Sequence, residues 1–268
     1  MYIDFHTHAF ADAIAERAIA KLEQTVIDSG YEERAVTNGT VSDLLRRLEE
    51  WGIDKAVLLP IATKPSQQTS INNWAKEVMC DRLICFGTVH PEAEDALDEL
   101  ERIKSLGLRG VKLHPDYQNF FADEERLYPI YSKCAELGLP VIFHAGLDAM
   151  CPDCIHCTPE MSARVLEKFP DLTVILAHMG GNECWDDVEK HLVGKNVYLD
   201  TAFAAGHLTP EQAVRIIRNH GADKILFASD CPWHGSDKER DFVQNLPLTH
   251  EEKELIFFKN AIRLLGDT

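Results

Sequence analysis

The run Leu108-Arg109-Gly110-Val111-Lys112-Leu113-His114 is followed by the stretch Glu124–Leu137, and then by Leu139-Pro140-Val141-Ile142-Phe143-His144-Ala145. The first and third pieces are short, rich in branched apolar residues, and carry a histidine at the end. In the piece between them apolar residues recur at three and four positions, the period of a helix laid against a core. Gly138 sits where that helix has to stop before the next strand begins. Together they make one strand–helix–strand unit, and the rest of the chain repeats it.

Working outward, further strands are read at Tyr2–His8, Lys55–Ala62, Arg82–Val89, Leu172–His178, Asn196–Thr201 and Lys224–Asp230, with helices such as Ala93–Leu106 and Met161–Phe169 among them. Thr158-Pro159 and Thr209-Pro210 put a capping hydroxyl and a proline at helix starts, Gln212 is placed to complete a capping box with Thr209, and Gly107 ends a helix. Eight strands in 268 residues is about 33 residues per unit, the period of a (β/α)8 TIM barrel. The rival is an open, doubly wound sheet, because alternation alone does not reveal closure. No Gly- or Ser-rich linker or low-complexity tract interrupts the chain, so residues 1–268 are read as a single α/β barrel domain. The gap from Ala9 to Asp54 holds two helical stretches and a polar turn around Asp28–Gly39, which is expected to cover the barrel mouth.

What ends the strands decides for the barrel. Active sites of such barrels lie at the carboxyl ends of the strands, and there stand His6-Thr7-His8, His90, His114, His144, His178, Asp200 and Asp230. Six of the chain's 12 histidines therefore terminate strands. A lone histidine at such a place is ordinarily a packed or capping group. His6 and His8 differ, because two-residue alternation turns both rings to one side of a strand, spaced to share a metal. With His144, His178 and Asp230 added, five imidazole or carboxylate groups converge, and burying them together without a partner would be costly. A divalent cation is the simplest partner. Zinc comes first, manganese, cobalt and iron suit the same donors, and one ion is favoured over two.

Composition narrows the function classes. The chain has 27 Lys plus Arg against 44 Asp plus Glu, a net charge of −17, and a field of that sign opposes docking on nucleic acid or anionic lipid. No run of about 18 apolar residues offers a membrane span. The start Met1-Tyr2-Ile3-Asp4-Phe5-His6 carries no basic stretch followed by an apolar one, so a cytoplasmic location is expected. The 8 cysteines are then read as free thiols or ligands rather than disulfides.

At this point the residues carry a resemblance. His6-x-His8, His144, His178 and Asp230 resemble the metal-binding set of the amidohydrolase superfamily, and the closest branch is the amidohydrolase-2 group that includes aminocarboxymuconate-semialdehyde decarboxylase. Gly110–Pro115, Pro140–Gly146, Ala177–Gly181 and Leu226–Trp233 are similar to that group's strand-end motifs, so the likeness covers nearly the whole chain. The resemblance implies that His6, His8, His144 and Asp230 hold one ion with a position left for water, and that His178 touches the metal or the substrate. It implies that Asp230 takes the proton of a metal-activated water and returns it to the leaving group. The main expectation is a metal-dependent hydrolase of a small lactone, amide or ester. The alternative is a non-oxidative decarboxylase, and a TatD-like nuclease ranks last because of the net charge. Superfamily members with a terminal β-sandwich differ from this chain, whose metal motif starts at residue 6.

The remaining candidates are weaker. Lys112 and His114 share a strand face, and Lys112 is read three ways: binding an acidic substrate group, carbamylated between two metals, or paired with a carboxylate. His156 and Trp233 are candidate substrate contacts, Asp200 a candidate support for a ligand, and His90 a structural residue. Cys151-x-x-Cys154-x-x-Cys157 with His156 could ligate a second metal, with Cys184 as a fourth ligand, but a cysteine-rich loop without one is preferred. The partner implied is a small molecule, and assembly as a homo-oligomer is left open.

Overall fold

A computed structural model describes residues 1–30, 32–149 and 151–266. Eight parallel strands run in chain order: β1 (Ile3–Thr7), β2 (Lys55–Leu58), β3 (Leu83–Cys85), β4 (Val111–Leu113), β5 (Val141–Phe143), β6 (Val174–Leu176), β7 (Tyr198–Asp200) and β8 (Ile225–Leu226). They form two sheets, β1-β2-β3 and β4-β5-β6-β7-β8. Two seams join these into a closed barrel. Gly87 N–H donates to Gly110 O at 2.8 Å and Lys112 N–H to Gly87 O at 2.8 Å, while Phe5 N–H reaches Phe227 O at 2.8 Å and Asp230 N–H reaches His6 O at 2.9 Å.

Every strand read from the sequence contains the observed ladder, but the ladders are shorter. Pairing ends at Leu113 and Phe143, and His114 and His144 follow directly. The alternation also works as expected. Val57, Ile84, Ile142, Ile175 and Leu226 fill the barrel together with Ala261 and Leu265 of the C-terminal helix, while Leu58, Cys85, Leu113, Phe143 and Leu199 face the surrounding helices. The inward columns of β3, β4, β5, β7 and β8 run on to His90, His114, His144, Asp200 and Asp230 at the mouth.

β1 breaks the alternation, and the break matters. Its register runs Ile3↔Lys55 and Asp4↔Ala56, but then Thr7↔Leu58, so one extra residue is inserted between Asp4 and Thr7. Such a bulge re-aims the side chains that follow it. Phe5 stays in the barrel interior, His6 comes inward beside it, and Asp4 is left on the opposite side, where it meets Ser229 and Ser236.

Helix ends follow the turn chemistry with one exception. Thr158 and Thr209 accept hydrogen bonds from the backbone of Met161 and Gln212, and Gly107 and Gly138 end helices in the left-handed region, φ 77° and 62°. The capping box at Thr209 does not form, because the Gln212 amide instead donates to Asp186 and Glu189 of a neighbouring helix. The reciprocal box is found at Thr249 and Glu252. No helix of the described residues is long and apolar enough to cross a membrane.

Candidate metal centre

Five imidazoles form a continuous chain across the mouth. His8 and His6 have ring centroids 5.0 Å apart, His6 and His178 5.5 Å, His178 and His144 4.8 Å, and His144 and His114 4.4 Å. The tightest part lies on the β1/β8 seam. His6 Nε2 is 3.1 Å from His8 Nε2, and both stand 3.2 Å from Asp230 Oδ1.

The outer nitrogens of these rings explain why that cluster wants a cation. His8 Nδ1 lies 2.7 Å from the carbonyl of Leu59, which only accepts, so Nδ1 is the donor. His6 Nδ1 lies 2.9 Å from Asp200 Oδ2 and is assigned as donor to that carboxylate, whose pKa burial raises to about 7. A neutral ring with its proton on Nδ1 presents a lone pair on Nε2. Two such lone pairs and a carboxylate oxygen therefore face one another at hydrogen-bond distance, with the Lys112 ammonium beside them, 3.3 Å from His6 Nε2. Burial in the first place, and then the charges of Lys112 and the neighbouring histidines, holds the His6 pKa well below its usual value. The His6 ring is thus neutral, as metal ligation requires. Burial raises the Asp230 pKa, but contact with His8 and the charges of His178, His8 and Lys112 outweigh it and keep the carboxyl below its ordinary value.

Two carboxylates that face away from the cation position hold the cluster in place. Asp200 Oδ2 takes His6, and its Oδ1 accepts from the backbone N–H of His178 at 2.9 Å and of Ala202 at 3.0 Å. Sequence reasoning gave Asp200 this supporting place. It missed Asp4. Oδ1 of Asp4 accepts from the backbone N–H of His6 at 3.1 Å and of Ser229 at 3.0 Å, and Oδ2 from the hydroxyls of Ser229 and Ser236 at 2.6 Å each. One buried acid thereby clamps β1 to the residue before Asp230. Burial raises its pKa to about 6, against the lowering effect of those hydrogen bonds. The available signal was an acid inside the apolar run Tyr2–His8, two residues before His6.

The other expected ligands are brought near, though not into the triad. His144 Nδ1 lies 3.1 Å from His178 Nε2, while its Nε2 is buried without a hydrogen-bond partner and 3.6 Å from Asp148 Oδ2. Ligand atoms of His114, His144 and Asp148 fall within 4.8 Å of one another, a second group beside the His6, His8 and Asp230 group. His178 sends Nδ1 to Ala202 O at 3.0 Å. His178 and Asp230 both have positive φ, 58° and 72°, a conformation that costs a non-glycine residue on the order of 1–3 kcal/mol and clusters at functional sites. Lys112 is buried, with Nζ 3.3 Å from His6 Nε2. Burial lowers its pKa to about 8 despite the charges of Asp230, Asp200 and Asp148.

A cavity of about 420 Å³ opens over the cluster, walled by Tyr117, His144, Asp148, His178, Phe203, Asp230 and Trp233 among others. Of the four residues read as substrate contacts, Trp233 lines the cavity, and Lys112, His114 and His156 do not. His114 stacks between Tyr117 and His144 at 3.7 and 4.4 Å and caps a short helix by accepting from Tyr117 N–H, whereas His156 pairs with Asp116 at 2.9 Å. His90 is structural, its Nδ1 accepting from Glu92 N–H. From the turn expected to cover the mouth Glu33 joins the wall, beside Leu22 and Val26 of the preceding helix Asp12–Asp28, and Val36 N–H ties the turn to Pro232 O at 2.7 Å.

Comparison with known proteins bears on the family and the fold. The Amidohydrolase family model matches residues 3–266. A gamma-resorcylate decarboxylase of Polaromonas is 24% identical over 220 residues, 65% of this chain and 67% of its own. A 2-amino-3-carboxymuconate-6-semialdehyde decarboxylase of Dictyostelium discoideum is 28% identical over 221 residues, 69% of this chain and 61% of its own. In structure, 5-carboxyvanillate decarboxylase from Sphingomonas paucimobilis superposes with a TM-score of 0.76 at 16% identity, covering 98% of both chains.

Proposed function

Starting from the fact that this chain belongs to the amidohydrolase family, whose model spans nearly all of it, we propose that it is a metal-dependent, non-oxidative decarboxylase of a small carboxylic acid. The observation that carries the choice is that the curated relatives it matches are decarboxylases, which moves the preference from hydrolysis, the first expectation, to the alternative. Within the family the chain is an enzyme of the same superfamily; decarboxylation is the finer reading.

The cavity divides the labour among the residues. His6 and His8 sit behind the wall and serve only to hold a divalent cation, while Asp230 both belongs to their triad and lines the cavity. His144 and His178 also line it, within reach of the same ion. A cation held there supplies positive charge that orients the substrate carboxylate and lowers the energy of the electrons left when the C–C bond breaks. Asp230, an ionised carboxylate in the resting site, is placed to take up a proton from the substrate or solvent and pass it to the carbon that loses CO2. His178, bonded to His144 on one nitrogen and to Ala202 O on the other, is the group that returns that proton. Reactant carboxylate plus one proton gives CO2 and the protonated product, so the balance needs no water and no oxidant. Phe203, Trp233 and Tyr117 supply apolar and aromatic wall that favours a flat, unsaturated substrate.

One observation favours a second reading. The wall carries Glu33, Asp148, Glu183 and Asp230 and neither lysine nor arginine, which suits an uncharged amide, ester or lactone and hence hydrolysis. Incubation of the metal-loaded protein with hydroxylated benzoates in heavy water separates the two. CO2 release with deuterium at the vacated carbon is the expected result. Oxygen-18 from labelled water appearing in the product, with no CO2 formed, would leave hydrolysis as the activity.

A further inference from the structure

The loop that follows β5 meets the short helix Pro115–Gln118 after β4, and the two bring together residues outside the His6, His8 and Asp230 cluster. Asp116 Oδ1 lies 2.9 Å from His156 Nδ1, and the Asp116 side chain is 1% exposed. Its second oxygen, Oδ2, is buried without a hydrogen-bond partner. One donor atom each from Asp116, Cys151 and His156 lies within 4.8 Å of the others. The tricysteine set suggested by the spacing does not form. Cys157 turns into the helix-side core, its Sγ 3.4 Å from Ser162 Oγ, and Cys184 stands at the start of the helix Trp185–His191, outside the cluster.

We propose that Asp116, Cys151 and His156 are the ligands of a second, thiophilic divalent cation such as Zn2+, distinct from the ion at the barrel mouth. The donor set suits it: tetrahedral zinc takes thiolate, imidazole and carboxylate through bonds of about 2.0–2.3 Å, which needs only small closure from the observed spacing. Binding exchanges one proton, that of the Cys151 thiol, for the cation; the Asp116–His156 hydrogen bond opens, and the carboxylate and thiolate together balance the 2+ charge. An Asp–His–Cys order could also serve a nucleophilic relay. The surroundings oppose that use, because burial first, and then the charges of Asp116, Asp148 and Asp153, raise the thiol's pKa where a nucleophile needs it lowered. An ion here would pin the turn in which Cys151 N–H bonds Asp148 O at 3.0 Å, and with it Leu147, Asp148 and Ala149 of the cavity wall. The site does not rest on the decarboxylase reading.

The test is titration of the metal-depleted full chain with Co2+, read by absorption. Two equivalents are expected, one of them giving a thiolate-to-cobalt charge-transfer band that the histidine–carboxylate cluster cannot produce. Cys151→Ser should remove the band and one equivalent, and Cys154→Ser, in the same turn, should keep both. Asp116→Asn provides a second variant, with the band's midpoint moved by about tenfold or more. Cobalt bound without the band, a band that survives Cys151→Ser, or iodoacetamide alkylation of Cys151 at a rate indifferent to Co2+ would each overturn the site.

Discussion

The two sides of the barrel mouth use the same residue types in opposite ways. On the β1/β8 side every outward-facing nitrogen is committed, His8 to Leu59 O and His6 to Asp200, and Asp4 fastens the backbone of both strands. What is left over points inward at one spot. On the β4/β5 side the commitments are incomplete: His114 and His144 lie parallel at 8°, and His144 Nε2, Asp116 Oδ2 and Asn182 Oδ1 are buried without hydrogen-bond partners. A buried polar atom left in that state costs on the order of 1–3 kcal/mol. The lesson is one of preorganisation. The seam is finished before anything binds and leaves its lone pairs on one spot, whereas the opposite side keeps capacity unspent, for a ligand's hydrogen bonds or for a cation.

The strongest way to break that contrast is Asp230→Asn. If the seam carries the chemistry, turnover should drop by about 10²–10⁴-fold and metal content should fall below one per chain. Steady-state kinetics beside elemental analysis checks both. Retained turnover with the ion still present would move the chemistry to the other side of the mouth.

Asp4 tests how the seam is fastened. Its pKa of about 6 in the fold lies above the roughly 3.9 of an unfolded aspartate, so the folded chain holds the proton more tightly. The stability from this group is therefore present at low pH and lost as pH rises from about 4 to about 6, on the order of 3 kcal/mol, and is level above that. Asp4→Asn should abolish this component, so urea midpoints of wild type and variant should converge in acid and separate toward neutrality. A difference that does not change with pH would show that Asp4 carries no such proton.

Asp200→Asn sharpens the contrast by a smaller step. Removing the charge that orients His6 should weaken ion affinity by about 10–100-fold while the fold persists. The matching change across the mouth, His114→Phe, should leave ion affinity unchanged. Competition with a metallochromic chelator measures both, and equal losses would erase the distinction between the sides.

How much of this could be read from the sequence follows from what each feature depends on. The barrel was legible because eight apolar runs at one spacing demand a single architecture, and the mouth because histidines ended those runs. His6 and His8 do face one way, yet Asp4, with the same parity, faces the other. The bulge that separates them is a property of pairing with β2, which no local pattern encodes. The grouping of the histidines was not legible either. His144 was assigned with His6 and His8, but the structure turns its Nε2 toward Asp148 and its Nδ1 toward His178, a choice made by ring rotation. The cysteine spacing allowed a three-thiol site beside the preferred reading of a metal-free loop, and Cys157 lies in the core. Sequence distance reports what shares a loop, while packing decides what shares a cavity.

The smallest expected effect is the most informative about substrate. Glu33 comes from the covering turn, its Oε2 buried without a hydrogen-bond partner, and it adds a fourth acid to a wall that holds no lysine or arginine. Toward a carboxylate substrate its charge is repulsive, and at the screened distances of an open mouth that repulsion is worth about 0.5 kcal/mol. Glu33→Gln should therefore lower KM for a carboxylic acid by roughly twofold and leave kcat alone, since the cover touches nothing that reacts. The same variant should leave KM for an uncharged analogue unmoved. A KM that rises instead would mean that Oε2 accepts a hydrogen bond from the substrate. The unspent capacity of the mouth would then extend from the β4/β5 side onto the cover, and the substrate would carry a hydroxyl or amino group opposite its carboxylate.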